Sequence, residues 1–245
     1  MYDLGLRSED RVASSFGGGF PEGSFVLIDG ADGAGKSVMS QRFVAGFCSE
    51  GYDVTFLTPE YDAGTFIDQM RSLSYEVVDY LMTERNLLFF HTDVNVDQPL
   101  YAADPEERNL FLDLLEVEAL WDSDIIIIDG LDLLLNNDPL FREAAQTGEE
   151  KQFIQDFINF VASKRREGKT VIITVNGDAV ADGFLSPMRK QASVYVALEM
   201  TKRAGSIQRQ ANVKRFQNRP QKADDVISYE VQAGNGLMIK SQSVA

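Results

Sequence analysis

The stretch Gly30-Ala31-Asp32-Gly33-Ala34-Gly35-Lys36-Ser37 decides the fold of this chain. It fits the pattern G-x-x-x-x-G-K-[ST] and stands between an apolar run and a helical pattern, which is the context of a phosphate-binding loop. Small residues let the backbone curl so that its N–H groups point at phosphate oxygens, and the helix N-terminus adds partial positive charge. We predict that ATP is bound by Gly30, Ala31, Asp32, Gly33, Ala34, Gly35, Lys36 and Ser37.

Two side chains of this loop have separate expected roles. Lys36 is expected to reach the β- and γ-phosphates, and the Ser37 hydroxyl is expected to coordinate Mg²⁺. The alternative is a glycine-rich turn without a ligand, but the strand, loop and helix together favour the phosphate site.

A carboxylate ends the run Ile125-Ile126-Ile127-Ile128-Asp129. Four isoleucines describe a buried central strand, and a side chain at its C-terminal tip projects into the crevice where α/β sheets bind ligands. We predict that Asp129 holds Mg²⁺ through a water molecule, as in a Walker B element. Asp132 is the competing carboxylate, and the structural alternative is that Asp129 merely ends a strand.

Two polar residues at strand ends are candidates for catalysis. Hydrolysis of a γ-phosphate needs a carboxylate that orients or deprotonates water, and Glu60, within Thr58-Pro59-Glu60-Tyr61, is the candidate. Asn176 follows another apolar run and can hydrogen-bond the γ-phosphate or the water, with Thr174 as the alternative. A solvated loop glutamate and a turn formed by Asn176-Gly177 are the non-functional interpretations.

Outward from the loop, short apolar runs alternate with helical patterns. The runs predict strands at Ser24–Asp29, Asp53–Leu57, Leu87–Asp93, Ile125–Asp129, Thr170–Val175 and Val194–Leu198. Helices are predicted at Ser37–Ser49, Thr65–Met82 with a break, Pro105–Leu120 and Glu149–Glu167. The alternation predicts an α/β fold with a mostly parallel central sheet flanked by helices.

The pattern changes near the end of the chain. Short strands are predicted at Val213–Phe216, Val226–Val231 and Leu237–Lys240, and a turn at 232–236 joins the last two. We therefore expect a C-terminal antiparallel hairpin on the parallel sheet. Without a repeat, a low-complexity tract or a proline-rich linker, residues 1–245 are expected to form a single domain.

The cations are concentrated in one part of the sequence. Lys214-Arg215 and the stretch from Arg219 to Lys222 lie close to Lys202-Arg203 and Arg209. In an acidic protein such a segment can contact a neighbouring subunit, where a cation near the neighbour's γ-phosphate would stabilise charge in the transition state. Charged side chains solvated on a strand are the alternative.

Composition excludes several classes of protein. The chain has 23 Lys and Arg against 38 Asp and Glu, and the net charge of −15 disfavours binding to DNA or RNA phosphates. One cysteine, Cys48, and one histidine, His91, exclude an internal disulfide and a Cys- or His-based metal site. We expect Cys48 and Trp121 to pack in or near the core and His91 to be structural.

Charge and hydropathy also bear on location. The start of the chain lacks a basic region and an apolar region, and no apolar stretch approaches the ~20 residues of a membrane span. We expect a cytoplasmic protein that does not insert into a membrane. The acidic, lysine-poor composition fits a salt-loving organism, with an acidic mesophilic protein as the alternative.

The segment Gly17-Gly18-Gly19-Phe20-Pro21-Glu22-Gly23-Ser24 resembles the GGG-x-P-x-GS start of KaiC-type ATPases in the RecA superfamily. Further stretches are similar to a family within them, the nucleotide-binding accessory proteins of the archaeal flagellum, or archaellum. These stretches are Gly35–Gln41, Thr58-Pro59-Glu60, Phe66–Met70, Val213–Phe216 and Tyr229-Glu230-Val231. The resemblance covers nearly the whole chain.

This resemblance implies a RecA-like core that binds ATP and Mg²⁺ with little or no turnover. It also implies a homo-oligomeric, hexameric ring at the membrane-associated motor, in contact with the motor ATPase ArlI, the membrane platform ArlJ and other motor ring components. Gly35, Lys36 and Ser37 would bind phosphate and Mg²⁺, Asp129 the metal, and Glu60 would stand at the catalytic glutamate position.

Two departures from the KaiC type stand out. Glu60 lies between Pro59 and Tyr61 where paired glutamates are common, which argues against efficient hydrolysis. Asn176 lies where the family leads one to expect a Thr-Leu-His-like stretch.

Three classes of function follow. The favoured one is a regulatory ATP-binding module of the archaellum, in which nucleotide occupancy sets ring assembly and contact with ArlI. The second is a productive ATPase, either a KaiC-like phosphotransferase or a RadA-like recombinase. The charge of −15 counts against the recombinase, and the length of one domain counts against a tandem clock protein. A small-molecule kinase is third, since no Arg-rich lid segment follows the loop.

Overall fold

The computed structural model describes residues 1–92, 114–203, 206–218 and 224–240. Most of the helix predicted at Pro105–Leu120 and the cationic stretch from Arg219 to Lys222 lie outside these residues. The described end of the first of these segments includes a 3₁₀ helix at Glu118–Trp121.

Eleven strands are found in the described part of the chain, in two sheets. A small sheet pairs β1 (Tyr2–Asp3) with β2 (Gly19–Phe20). The large sheet contains β3 (Phe25–Gly30), β4 (Val54–Thr58), β5 (Leu87–His91), β6 (Ile125–Ile128), β7 (Thr170–Val175), β8 (Val194–Arg203), β9 (Ser206–Phe216), β10 (Val226–Gln232) and β11 (Gly236–Ile239). Its strand order is β11-β10-β9-β8-β3-β7-β6-β4-β5.

The described helices connect or cover these strands. They are α1 (Val12–Ser15), α2 (Lys36–Ser49), α3 (Ala63–Ser72), α4 (Val78–Met82), α5 (Leu131–Asn137), α6 (Pro139–Thr147), α7 (Glu150–Arg166) and α8 (Asp182–Gln191). Strands β3 to β8 pair in parallel, as crossover connections through helices require.

Both faces of the parallel strands β3, β4, β6 and β7 are buried, which explains their uninterrupted apolar runs. Along β3, Val26 and Ile28 face one core cluster, which includes Phe43 of α2. Their neighbours Phe25 and Leu27 face the other cluster, which is covered by α7 and α8. This arrangement confirms the predicted α/β fold with a mostly parallel sheet, and β8 to β11 form its antiparallel C-terminal part.

The antiparallel strands are longer than the sequence pattern predicted. β8 continues past Leu198 to Arg203, and β9 begins at Ser206 rather than at Val213. The added pairs are mostly polar, such as Glu199 with Gln210. An antiparallel strand needs only one buried face, so its apolar run ends before its backbone pairing does.

The helical predictions differ from the structure in three ways. The pattern at Thr65–Met82 forms two helices, α3 and α4, and the break contains Ser74 at a φ of +63°. Helices α1, α5 and α8 were not predicted, because they are short, with four, seven and ten residues, and α8 contains Pro187. Helix α6 was also missed, although Asp138 accepts a hydrogen bond from the Phe141 N–H and Pro139 stands at the first helical position.

A buried arginine holds the N-terminal segment against the loop helix α2. The Arg42 side chain is fully buried and forms an ion pair with Asp10. Its guanidinium also donates to the carbonyl oxygens of Leu4 and Gly5, at 2.8 and 3.0 Å. Gly46 lies one turn further along α2, where a Cβ would lie 1.9 Å from the Leu4 oxygen, so the backbones approach closely here. Among the residues described, no helix has both the length and the apolar character of a membrane span.

Candidate functional site

The glycine loop lies where the sequence places it, between the end of β3 and the start of α2. Gly35 caps α2 with a backbone φ of +102°, a conformation that residues other than glycine rarely adopt. The loop borders a pocket of about 580 Å³. The pocket is lined by Asp32, Gly33, Gly35, Lys36, Ser37, Val38, Glu60, Asp132, Leu133, Asn136, Asn176, Ala179, Arg209 and Val231.

Lys36 is folded back onto its own loop. Its ammonium donates to the carbonyl oxygens of Gly30 at 2.8 Å and Ala31 at 3.3 Å, and it lies 3.5 Å from a carboxylate oxygen of Asp32. The Lys36 side chain is 9% exposed, so these contacts satisfy a buried cation. This cation lines the pocket, where it could contact a bound phosphate.

The antiparallel strands β9 and β10 support the loop from the side. The Tyr229 hydroxyl donates to the Ala34 carbonyl at 2.6 Å, and Arg209 Nε donates to the Gly33 carbonyl at 3.0 Å. Tyr229 and Arg209 are opposite each other in the strand pairing, so adjacent strands reach adjacent loop residues. Arg209 was expected only as a cation and Tyr229 only as part of a stretch similar to the archaellum proteins, so neither was predicted to contact the loop.

We expect Tyr229→Phe to weaken both the fold and the loop. The change leaves the Ala34 carbonyl without its buried donor, which should lower the free energy of unfolding by about 1–2 kcal/mol. Urea denaturation and an ATP titration would measure the two effects. Tyr2→Phe is the matched control, because it removes a longer hydroxyl–carbonyl bond, to Gly168 at 3.3 Å, away from the pocket. Unchanged nucleotide affinity in Tyr229→Phe would show that this contact does not support binding.

Asp129 is fully buried beneath the loop and is surrounded by hydroxyl groups. It accepts hydrogen bonds from Thr174 at 2.8 Å, Ser40 at 3.1 Å and Tyr61 at 3.3 Å. The Ser37 hydroxyl is close enough to act in the same direction on the pKa of Asp129. Burial raises the pKa of its carboxyl, and these hydrogen bonds offset part of that effect.

These residues fit the Mg²⁺ that a phosphate loop implies. Ser37 lines the pocket, and its hydroxyl is close enough to Asp129 to lower the pKa of that carboxyl, so Ser37 lies between the pocket and the buried carboxylate. Hydroxyl and carboxylate oxygens are the ligands that Mg²⁺ prefers, and Mg²⁺ usually keeps several of its waters. Ser37 would coordinate the ion directly, and Asp129 would hold it through a water molecule.

Asp132 and Asn176 form a second polar group at the pocket wall. The backbone N–H of Asn176 donates to Asp132 at 2.9 Å, and the Asn176 amide donates to Asp32 at 3.0 Å. Burial raises the pKa of Asp132. Thr174, the alternative to Asn176, does not line the pocket: it donates to Asp129 and accepts from the Gly130 N–H.

Glu60 lies at the rim of the same pocket. Although the residue is partly exposed, burial of its carboxyl and the nearby charge of Asp129 raise its pKa to about 7. A carboxyl with that pKa can accept a proton near neutral pH, which is what a general base requires. The structure thus brings Glu60, Asn176, Lys36 and Ser37 to one pocket, with Asp129 beneath it; their functional roles stay predictions.

The raised pKa of Glu60 makes stability depend on pH. The folded protein holds this proton more tightly than an ordinary glutamate with a pKa of 4.5, so ionised Glu60 destabilises the fold above pH 7. That cost is lost as the pH falls through 7 toward 4.5. We therefore expect Glu60→Gln to raise the Tm of the nucleotide-free protein at pH 8 and to raise it progressively less toward pH 5. Glu76→Gln, an exposed control, should show no such trend. A Tm increase of equal size at every pH would contradict this explanation.

The cationic segment is engaged within the subunit where it is described. Arg215 donates to the carbonyl oxygens of Arg189, Lys190 and Ala192 at the C-terminal end of α8. Lys214 lies 3.9 Å from Glu199 on the neighbouring strand. Lys214 is exposed on its strand, and Arg215 contacts the C-terminal end of α8. A role of this segment at a neighbouring subunit stays a prediction.

Three other residues singled out in the sequence are also described. Cys48 and Trp121 are buried, as predicted, and Trp121 Nε1 donates to the Leu114 carbonyl. His91 is exposed at the end of β5, paired in the sheet with Thr58.

The strand order and the glycine loop after β3 define a RecA-like α/β protein. A model of the KaiC family of ATPases matches residues 10–242, so the chain belongs to that family.

Two archaeal flagellar proteins are similar to this chain over nearly its whole length. The chain is 27% identical over 238 residues to the archaeal flagellar ATP-binding protein FlaH of Methanocaldococcus jannaschii, covering 97% of this chain and 95% of that protein. It is 25% identical to the protein of the same name from Methanococcus voltae, with 96% of each chain covered. These matches confirm the resemblance to the archaellum accessory proteins.

Solved structures share the fold. The crystal structure of the flagellar accessory protein FlaH from Methanocaldococcus jannaschii superposes with a TM-score of 0.82 at 24% identity, covering 98% of this chain and 99% of that one. A KaiC-like protein from Pyrococcus horikoshii OT3 superposes with a TM-score of 0.70 at 18% identity, covering 95% and 96%.

Proposed function

We propose that this chain is a single-domain ATP-binding regulatory protein of the archaellum motor. The observation that carries the proposal is the loop Gly30–Ser37 at the end of β3, with Lys36 and Ser37 facing one pocket. The pocket volume of about 580 Å³ lies within the range of small-molecule sites, roughly 300–1,000 Å³. The similarity to proteins named flagellar ATP-binding protein supports the biological setting.

In this proposal, loop N–H groups and Lys36 hold the phosphates, while Ser37 and Asp129 hold Mg²⁺. When bound, Mg²⁺ neutralises phosphate charge. Lys36 would exchange the carbonyl oxygens of Gly30 and Ala31 for phosphate oxygens. Asn176 would turn from Asp32 toward the γ-phosphate, and so its conformation would report whether that phosphate is present.

The bound nucleotide would regulate assembly. A ligand shifts a conformational equilibrium only by binding one state more tightly. ATP-Mg²⁺ would order the segments around Glu60 and Asn176, which line the pocket, and so favour one conformation. We propose that this ordered form assembles into a hexameric ring and contacts the motor ATPase ArlI beneath the platform ArlJ. Turnover would be slow, because one glutamate, Glu60, stands between Pro59 and Tyr61 where paired glutamates are common in KaiC-type enzymes.

One observation favours the second candidate, an active ATPase or phosphotransferase. Glu60 lines the pocket and has a pKa of about 7, which suits a group that takes a proton from water or a hydroxyl. If the protein is an active ATPase or phosphotransferase, Glu60 would take part in each catalytic cycle, whereas in the regulatory protein hydrolysis would be rare.

Steady-state turnover separates the two candidates. We expect purified protein to hydrolyse less than about one ATP per minute, compared with typical kcat values of roughly 1–10³ s⁻¹. Sedimentation with and without ATP should show a larger assembly with nucleotide, and ArlI should co-sediment only then. Turnover within the usual enzyme range, lost in Glu60→Gln, would instead establish the active ATPase.

A further inference from the structure

The phosphate loop contains a carboxylate that faces its own ligand site. Asp32 is the third residue of the loop, and its side chain is 88% exposed at the edge of the pocket. A carboxylate there repels an incoming triphosphate, since like charges at short range disfavour each other. The glycine pattern of the loop does not require an acid at this position, so Asp32 needs its own explanation.

Asp32 contacts both polar donors that a phosphate would use. One of its oxygens accepts from the Asn176 amide at 3.0 Å and lies 3.5 Å from the Lys36 ammonium. The Asn176 side-chain oxygen accepts from the Asp178 N–H at 3.1 Å, so both ends of that amide are occupied. Asp32 thus bridges the loop and the tip of β7 across the pocket.

The charges around the pocket point the same way. In the part of the chain that the structure describes, three carboxyl groups, Asp32, Glu60 and Asp132, line it, against the two cations Lys36 and Arg209. A site for a polyanion therefore has more acidic than basic groups. Mg²⁺ bound to the phosphates removes about two negative charges from the ligand and reduces the repulsion.

We propose that Asp32 makes this site selective for metal-bound nucleotide: it repels metal-free nucleotide and holds Lys36 and Asn176 until a metal-bound triphosphate replaces it. The inference rests on the proposed function, because it concerns which form of ATP the same pocket accepts. Asp32 is a specificity-determining residue in this account and takes no part in bond breaking.

The test compares ATP affinities with Mg²⁺ and with EDTA for wild type, Asp32→Asn and Asp32→Ala. Asparagine keeps an acceptor for Asn176 and removes the charge, whereas alanine removes both. We expect Asp32→Asn to tighten binding of metal-free ATP about fivefold and of ATP-Mg²⁺ about twofold, as for an exposed charge worth up to about 1 kcal/mol. Asp32→Ala should give the same ratio between the two forms.

The salt dependence of ATP affinity distinguishes a charge effect of Asp32 from a purely structural one. Because Asp32 is exposed, the gain in Asp32→Asn should shrink from the lowest KCl concentration that keeps the protein folded to a concentration ten times higher. Asp68→Asn is the matched control, since it removes an exposed carboxylate on α3 that pairs with Arg71. It should leave both affinities unchanged.

The possible outcomes are distinct. Equal changes with and without Mg²⁺, no change in Asp32→Asn, or tightening in Asp32→Ala alone would overturn the inference while wild type still binds ATP-Mg²⁺. Failure of wild type to bind ATP-Mg²⁺ would instead overturn the proposed function. Circular dichroism of each variant, which replaces an exposed loop side chain, confirms folding at both salt concentrations.

Discussion

Lys36→Ala is expected to reduce the affinity for ATP-Mg²⁺ by about 100-fold, beyond detection in a micromolar titration. The buried ammonium lines the pocket and already donates to two loop carbonyl oxygens. Phosphate oxygens would replace those acceptors, and hydrogen bonds to charged groups contribute about 1.5–3 kcal/mol each. Removing this cation also leaves a pocket lined by three carboxyl groups with Arg209 as its remaining basic group among the described residues.

The measurement is a calorimetric or fluorescence titration, with Lys164→Ala as the control. Lys164 lies on α7, where it pairs with Glu167, so its loss removes the same charge outside the pocket. Lys36→Gln serves as a second variant, because it keeps a donor to the Gly30 carbonyl should the alanine variant fold poorly. Affinity retained in both Lys36 variants would remove the argument that this loop binds phosphate.

Arg42→Leu is expected to lower the free energy of unfolding by about 3–5 kcal/mol, the range for breaking a buried ion pair. The substitution leaves the Asp10 carboxylate, whose side chain is 6% exposed, without its cation. It also removes the donors of the Leu4 and Gly5 carbonyl oxygens. For a chain of this length, such a loss corresponds to a decrease in Tm of about 10 °C.

Urea denaturation measures this effect, and Arg71→Leu provides the comparison. Arg71 pairs with Asp68 at 3.3 Å, but both side chains are more than half exposed, so this loss should cost less than about 1 kcal/mol. Adding Asp10→Leu to Arg42→Leu should recover part of the stability, since no buried charge then remains unpaired. A cost for Arg42→Leu no larger than that for Arg71→Leu would contradict the structural role assigned to this arginine.

The parallel part of the fold could be predicted from the sequence because its signals are local. A strand buried on both faces must be apolar at every position, and Ile125–Ile128 and Thr170–Val175 satisfy that condition. The phosphate-binding loop could also be predicted from local sequence, because its glycine and lysine pattern occurs between a strand and the start of a helix. The sites at strand ends followed from the rule that ligands bind there.

Contacts between distant segments could not be predicted. Tyr229 reaches the loop from 195 residues away in the sequence, and no local pattern distinguishes it from an ordinary strand tyrosine. The burial of Arg42 is of the same kind, since its partners Asp10, Leu4 and Gly5 precede it by more than 30 residues. From the sequence, Arg215 was grouped with the other cations, whereas in the structure it donates to carbonyl oxygens at the end of α8.

An equilibrium titration of the wild-type protein with ATP-Mg²⁺, followed by calorimetry and by thermal melting, shows whether the loop Gly30–Ser37 holds a nucleotide. We expect saturable binding of one nucleotide per chain at micromolar concentrations, with a Tm that rises as ligand is added. No heat of binding up to millimolar ATP, together with an unchanged Tm, would rule out this loop as a nucleotide site.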